Sequence, residues 1–353
     1  MTSGTPTISA NVPSPATTRW QGIGPVLLLL LSAPLISEVL YGATRISTIF
    51  VLVPEIMTWG CGALLIRECV RRWRKGWRSM LLLGLALAIA EEWIIQQTSI
   101  APLVGLAAHP YGRVWGVNWI YFLWALGYES VWVVLIPVQL VELLFPERRE
   151  ETWLRTPGFI IASFVFLIGA FMAWYGWTQQ ARVQIFHMPP YTPPLFYLLD
   201  AACVIGLLAF AAYALPDGPP QTVQPVPSPW TIGLTLTLLG SPWAALVLSG
   251  FGSFPKIPFQ FVLAGGLLWS AATFLFMNRW TCSRNWNDLH RFALVLGGVL
   301  ACTIGGFAVF RVGGALRMDW IGKVILDAVA IGSLVAVGFK LERRTARDTT
   351  QSC

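Results

Sequence analysis

The sequence predicts an all-α, polytopic integral membrane protein with about ten transmembrane helices and both termini in the cytoplasm. Three observations carry this. Of 353 residues, 56% are hydrophobic and 12% charged, with a mean hydropathy of +0.64, whereas a soluble chain carries about 25% charged residues. The apolar residues gather into windows of about 20, the length a helix needs to cross ~30 Å of hydrocarbon with its backbone groups satisfied internally. Of the 24 Lys and Arg, against 17 Asp and Glu, most fall in short segments between those windows. The net charge of +7 is therefore directed at anionic lipid headgroups on the cytoplasmic face of the cell membrane, and not at nucleic acid. A water-facing globule, a secreted disulfide scaffold and a disordered chain are excluded.

Residues 1–21 are rich in Thr, Ser and Pro over most of their length and are expected to be a disordered tail. Six windows follow, at 22–42, 47–66, 79–100, 119–145, 157–177 and 196–215, and make a membrane half over 22–215. The first is kept as a span, because Pro34 and Leu31 spoil a signal-peptidase site. Residues 216–229 hold six Pro in fourteen positions and read as an extended cytoplasmic linker. Four more windows, 230–250, 259–277, 292–310 and 320–339, form a Gly/Ala-rich half over 230–339, before a basic tail at 340–353. Its small-residue pairs, Gly265-Gly266, Gly297-Gly298, Gly305-Gly306 and Gly313-Gly314, suit close approach of helix backbones in lipid.

Orientation follows from retention of positive loops in the cytoplasm. With the N-terminus inside, the inner segments hold 17 of the 24 basic residues: Arg19, six from Arg67 to Arg78, three from Arg148 to Arg155, Arg279, Arg284, Arg291, and four from Lys340 to Arg347. The outer side holds the other seven: Arg45, Arg113, Arg182, Lys256, Arg311, Arg317 and Lys323. About two thirds of the 18 Trp sit at proposed span ends, where an indole prefers the headgroup boundary. The six Cys fall within spans or on the inner side, so no disulfide is expected.

Ionisable residues inside a membrane cost several kcal/mol by common scales and ask for a reason. Glu38, Glu55, Glu91, Glu92, Glu129, Asp200 and Asp327 fall within the windows, mostly in their outer halves. The sharpest signal is Glu91-Glu92 on the third window. At 100° per residue, Glu92, Gln96 and Ser99 share one helical face. Two adjacent carboxyls in an apolar site cannot both ionise cheaply, so the pair is expected to keep a proton beside an acceptor. Glu91 and Glu92 are the candidate catalytic residues. Glu55, Gln96, Glu129, His109 and Arg113 are candidates for binding substrate or ion around an outward-facing polar cavity, with Arg45 or Arg113 as counter-charge. The alternative is that these carboxylates pair with Arg or backbone only to fix packing. There is no HExxH, no Cys/His ligand spacing, no GxSxG and no Walker loop. Nothing identifies a metal, a cofactor or a protein partner.

The run Glu91-Glu92-Trp93-Ile94-Ile95-Gln96 resembles the first motif of the CAAX-processing and bacteriocin-protection intramembrane proteases. In that family a Glu pair is followed by an Arg, and His residues from later helices join the pair in activating water. Gln96 stands at the place of that Arg, no His lies inside a proposed span, and Glu129 occupies the next one. The resemblance implies a divergent or inactive protease-like centre. Two other classes stay open: a proton- or cation-coupled small-molecule transporter, and a non-catalytic membrane scaffold for a partner complex.

Overall fold

A computed structural model describes residues 19–102, 111–216, 222–312 and 314–351, without the side chains of 19–21, 312 and 345–351. Helix makes up 77% of the structure, and strand among the described residues is one short hairpin, as an apolar solvent that cannot satisfy open backbone requires. The chain opens with α1 (Arg19–Pro34), continued by a π-helical turn at Leu35–Val39. It reverses at Gly42, whose φ of +84° and contact with the Phe310 ring admit no side chain. The second span is continuous but irregular: a 3₁₀ turn at Ile46–Val51, α2 (Leu52–Glu55), a π turn at Ile56–Gly60 and α3 (Cys61–Arg72). Helix α4 (Trp77–Ala90) runs into a π turn at Glu91–Ile95.

The hairpin β1 (Arg113–Val114) and β2 (Val117–Asn118) precedes α5 (Trp119–Tyr128). The Asn118 side chain caps α5 by accepting from the Tyr121 amide, satisfying an otherwise orphaned donor. A π segment at Glu129–Leu135 leads into α6 (Ile136–Leu144). There Pro137, which lacks an amide hydrogen, sits just inside the new helix, where the loss is tolerated. Then come α7 (Thr156–Trp174) with a π extension at Tyr175–Ile185, α8 (Leu195–Ala214), α9 (Pro229–Gly240), α10 (Trp243–Gly250), α11 (Phe259–Thr281), α12 (Asp288–Val312) and α13 (Arg317–Gln351).

Nine helical stretches among the described residues are long and apolar enough to cross a membrane, so the protein is a multi-pass membrane protein. They coincide with nine of the predicted windows, with longer second, fifth and last members at Ile46–Arg72, Thr156–Ile185 and Arg317–Arg344. The remaining window, 79–100, is helical only to Ile95, and Arg78, Glu91 and Glu92 dilute its apolar character. Gln97 then takes a left-handed φ of 61°, so the chain leaves the helix before Ser99.

Helices α1, α3, α4, α5, α6, α10 and α12 supply most of the core. By contrast, α7, α8 and α11 turn Phe164, Phe171, Leu207, Phe261 and Leu268 outward, the surface expected to meet lipid tails. Glycine sets the closest approaches. A Cβ on Gly297 of α12 would lie 2.5 Å from the Gly233 carbonyl oxygen of α9, and one on Gly306 would lie 2.6 Å from that of Tyr41. Gly265, in contrast, faces open space. Residues on both sides of the Pro-rich segment interlock: Trp132 Nε1 donates to the Gly298 carbonyl at 2.8 Å, and Asn118 Nδ2 to that of Gly250 at 2.9 Å. Midway along, that segment is itself tied down, with Thr222 bridging to Ser283.

Basic residues from distant windows meet at one end of the bundle. Arg67, placed in a loop by the window limits, is instead fully buried in α3. Its guanidinium donates to Glu68 at 3.0 Å, to Glu142 at 3.1 Å and to the carbonyls of Arg148, Arg149 and Glu151. Arg71 grips Glu142 with two bonds to Oε1 and Oε2 at 2.7 and 2.8 Å. Arg149 and Arg344 both pair with Asp288, and Arg148 reaches the Gly22 carbonyl of α1. Lys323, counted on the outer side, lies inside the bundle. It pairs with Asp327 at 2.9 Å and donates to the Leu40 carbonyl at 2.7 Å.

Candidate functional site

Five glutamates in the spans, Glu38, Glu55, Glu91, Glu92 and Glu129, are all buried. Each lies in or directly before a π-helical turn: Leu35–Val39, Ile56–Gly60, Glu91–Ile95 and Glu129–Leu135. A π turn widens the helix by one residue, and such turns occur frequently at functional sites. The Glu129–Leu135 turn packs against the Leu35–Val39 and Ile56–Gly60 turns and against α4, which is how residues from four stretches of chain come together.

The carboxyls of this group lie within electrostatic reach of one another. Glu91 is influenced by Glu92 and Glu38, Glu129 by Glu91, Glu92 and Glu38, and Glu38 by Glu55. Glu38 is thus the common neighbour, and it stood outside the sequence candidates. Its position near the outer end of the first window was visible, but nothing in the sequence linked it to residues 50 to 90 positions away. Tyr128 joins it: the phenol donates to the Ser37 carbonyl and lies 3.1 Å from Glu38 Oε1.

The partners divide the five unequally. Glu92 Oε2 accepts from the Ser99 hydroxyl at 2.6 Å, and the Ser99 carbonyl accepts the Asn118 amide at 2.9 Å. Glu55 Oε1 accepts from Thr44. Both oxygens of Glu91, Oε2 of Glu129 and Oε2 of Glu55 are buried with no hydrogen-bond partner among the described residues. The contrast is with Glu68 and Glu142 at the basic end, which Arg67 and Arg71 neutralise. Packing by arginine therefore describes that pair and not Glu91.

The other candidates separate from this group. Arg113 donates to the carbonyls of Ile100, Ala101 and Gly116, so its described hydrogen bonds fasten the turn after the glutamate helix to the hairpin. Burial draws its pKa below the usual arginine value. Arg45 lies 5.3 Å over the Phe310 ring and acts on Asp319. Gln96 is half-buried, and the π turn with the left-handed residue after it dissolves the α-helical face that joined it to Glu92 and Ser99. Gln97 is the buried amide, with Nε2 donating to the Ile94 carbonyl and Oε1 unpartnered. His109 lies outside the described residues. Among the described residues no three His, Cys, Asp or Glu are arranged to hold a metal ion.

Chemically, the group is a buried nest of hydrogen-bond acceptors, with neighbouring carboxyls and three hydroxyl donors in Thr44, Ser99 and Tyr128. Such a nest is stable only by sharing protons or by admitting water or a cation. Comparison with protein-family models, with curated proteins and with solved structures gave no match.

Proposed function

We propose that this multi-pass membrane protein carries a proton-exchanging carboxylate centre, a divergent form of the intramembrane-protease type. In it Glu91 is the acid–base group, Glu92 is fixed beside it by Ser99, and Glu129 and Glu38 complete the nest. The observation that carries the proposal is the state of Glu91: both oxygens are buried without a partner among the described residues, next to a carboxylate whose position is set by a 2.6 Å hydrogen bond. A held acceptor beside an unheld one is the arrangement that lets a proton change place. Among the described residues the centre has no imidazole, and there carboxylates are the groups available to activate water.

The test is cleavage of a membrane-anchored reporter peptide by reconstituted protein. Glu91→Gln and Glu92→Gln are expected to abolish cleavage while leaving the yield of folded protein unchanged. Cleavage by Glu91→Gln at the wild-type rate, or none by the wild type, would remove the protease reading.

A proton-coupled carrier is the second reading, and one observation favours it. Trp132, Gly240 and Trp243 border both a large cavity and a small void beside Tyr41 and Tyr128, and Tyr128 contacts Glu38. A carrier would dissipate an imposed pH gradient in proteoliposomes, and Glu91→Gln would stop it.

A further inference from the structure

A cavity of about 720 Å³ lies among α4, α5, α6, α9, α11 and α12, within the size range of small-molecule sites. None of the five clustered glutamates lines it. Its long wall is apolar, with Leu81 and Leu85 of α4, Leu126 of α5, Leu239 of α9, and Phe274 and Met277 of α11. At the basic end of the bundle the lining changes to Arg71, Arg74, Lys75, Arg149 and Arg291, against only Glu142 and Glu150.

The cations at that end are not all consumed. Arg71 is held by Glu142 and Glu150. Arg149 meets Asp288 at 2.9 Å, and Asp288 is answered a second time by Arg344. That leaves Arg291 with a 3.9 Å contact to the same carboxylate, and Arg74 exposed with no ion pair among the described residues. The indoles of Trp77 and Trp286 flank this end, the residue type that settles at headgroup level. Deeper in, Gln139 lines the wall with its Nε2 donor buried and unpartnered.

We propose that this cavity binds an anionic phospholipid drawn from the leaflet at the basic end. Its chains would lie along α4 and α11 and its phosphate would meet Arg74 and Arg291. Charge complementarity selects this occupant. A zwitterionic lipid such as phosphatidylcholine would bring a cation of its own against the surplus cations, and a free anion would leave the apolar wall unfilled. Basic pockets between transmembrane helices are suited to phosphate headgroups in this way. The site goes beyond loose attraction of headgroups to surface loops, because the cations cap a preformed cavity. It is independent of the carboxylate centre.

The experiment uses the full chain, stripped of lipid in detergent and offered phosphatidylglycerol or phosphatidylcholine of identical chains. Retained lipid is counted by native mass spectrometry and melting is followed in parallel. One phosphatidylglycerol is expected to be retained, with a preference of roughly tenfold. Arg74→Gln with Arg291→Gln should bring that preference to about twofold or less, with the lipid-free melting temperature unchanged. Arg74→Gln alone, at an exposed side chain, should halve the preference at least and serves if the double variant does not fold. Equal retention of the two lipids, or a preference untouched by the substitutions, would overturn the proposal. So would inorganic phosphate raising the melting temperature as much as phosphatidylglycerol.

Discussion

At the scale of single residues, burial alone does not say what a charged side chain is doing; its partners do. Arg67 and Glu91 are both out of contact with solvent, yet they sit in opposite circumstances. The guanidinium satisfies two carboxylates and three carbonyls and stacks 3.4 Å over the Trp153 ring. Removing one member of a buried ion pair costs about 3–5 kcal/mol, since the other charge is left uncompensated. Arg67→Met should therefore lower the melting temperature sharply and release the 145–155 segment to proteolysis. Glu91→Gln replaces a carboxyl that has no hydrogen-bond partner among the described residues by a neutral group of the same shape, so it is expected to shift stability by less than about 1 kcal/mol. Melting both variants in the same detergent compares them directly. A Glu91→Gln protein as unstable as Arg67→Met would mean that Glu91 is a structural ion and not a proton-exchanging group.

At the scale of elements, the irregular turns matter more than the helices they interrupt. A regular α-helix through residues 118–139 would align Asn118, Glu129, Trp132 and Gln139 in one stripe. The π segment at Glu129–Leu135 breaks that stripe. Trp132, Ile136 and Gln139 line the apolar cavity, while Glu129 is drawn into the carboxylate group. One helix thereby serves two compartments. The glycines of α12 set how near its neighbours come, because a side chain on Gly297 has the Gly233 carbonyl of α9 in its way. Overpacking of this kind costs about 1–3 kcal/mol. Gly297→Val should therefore loosen the α9–α12 contact and reduce stability in detergent, whereas Gly265→Val, facing open space, should be neutral.

For the whole molecule, the arrangement has two separate polar features in one apolar bundle. The carboxylate nest lies where the π turns meet, and the cationic end of the large cavity lies at the end held by Arg67 and Asp288. The two halves of the chain do not stand apart. Trp132 reaches Gly298, Asn118 reaches Gly250, Lys323 reaches Leu40, and Arg149 pairs with Asp288. Buried contacts of this number should outlast the covalent link. Co-expression of residues 1–216 and 222–353 as two polypeptides is expected to give fragments that co-purify in detergent and reproduce the wild-type melting profile. Independent recovery of the two fragments would show that the interface does not hold them by itself.

The sequence by itself determined that the chain is helical and membrane-embedded, where nine of its spans lie, and that Glu91-Glu92 is an expensive feature inside one further helix. Those properties depend on composition over about 20 consecutive residues, and neighbours in sequence are enough to reveal them. Only the tertiary structure decided which acidic residues are neutralised. Glu142 meets Arg67 and Arg71 across more than 70 positions, while Glu91 lies within electrostatic reach of Glu38 and Glu129. It also buried Gln97 and left Gln96 half-buried, since one wide turn adds a residue to the helix and shifts the side chains that follow from the positions a 3.6-residue period assigns, although Ser99 still reaches Glu92. Pairing between distant segments is a property of packing, and local patterns of charge and hydropathy carry no record of it.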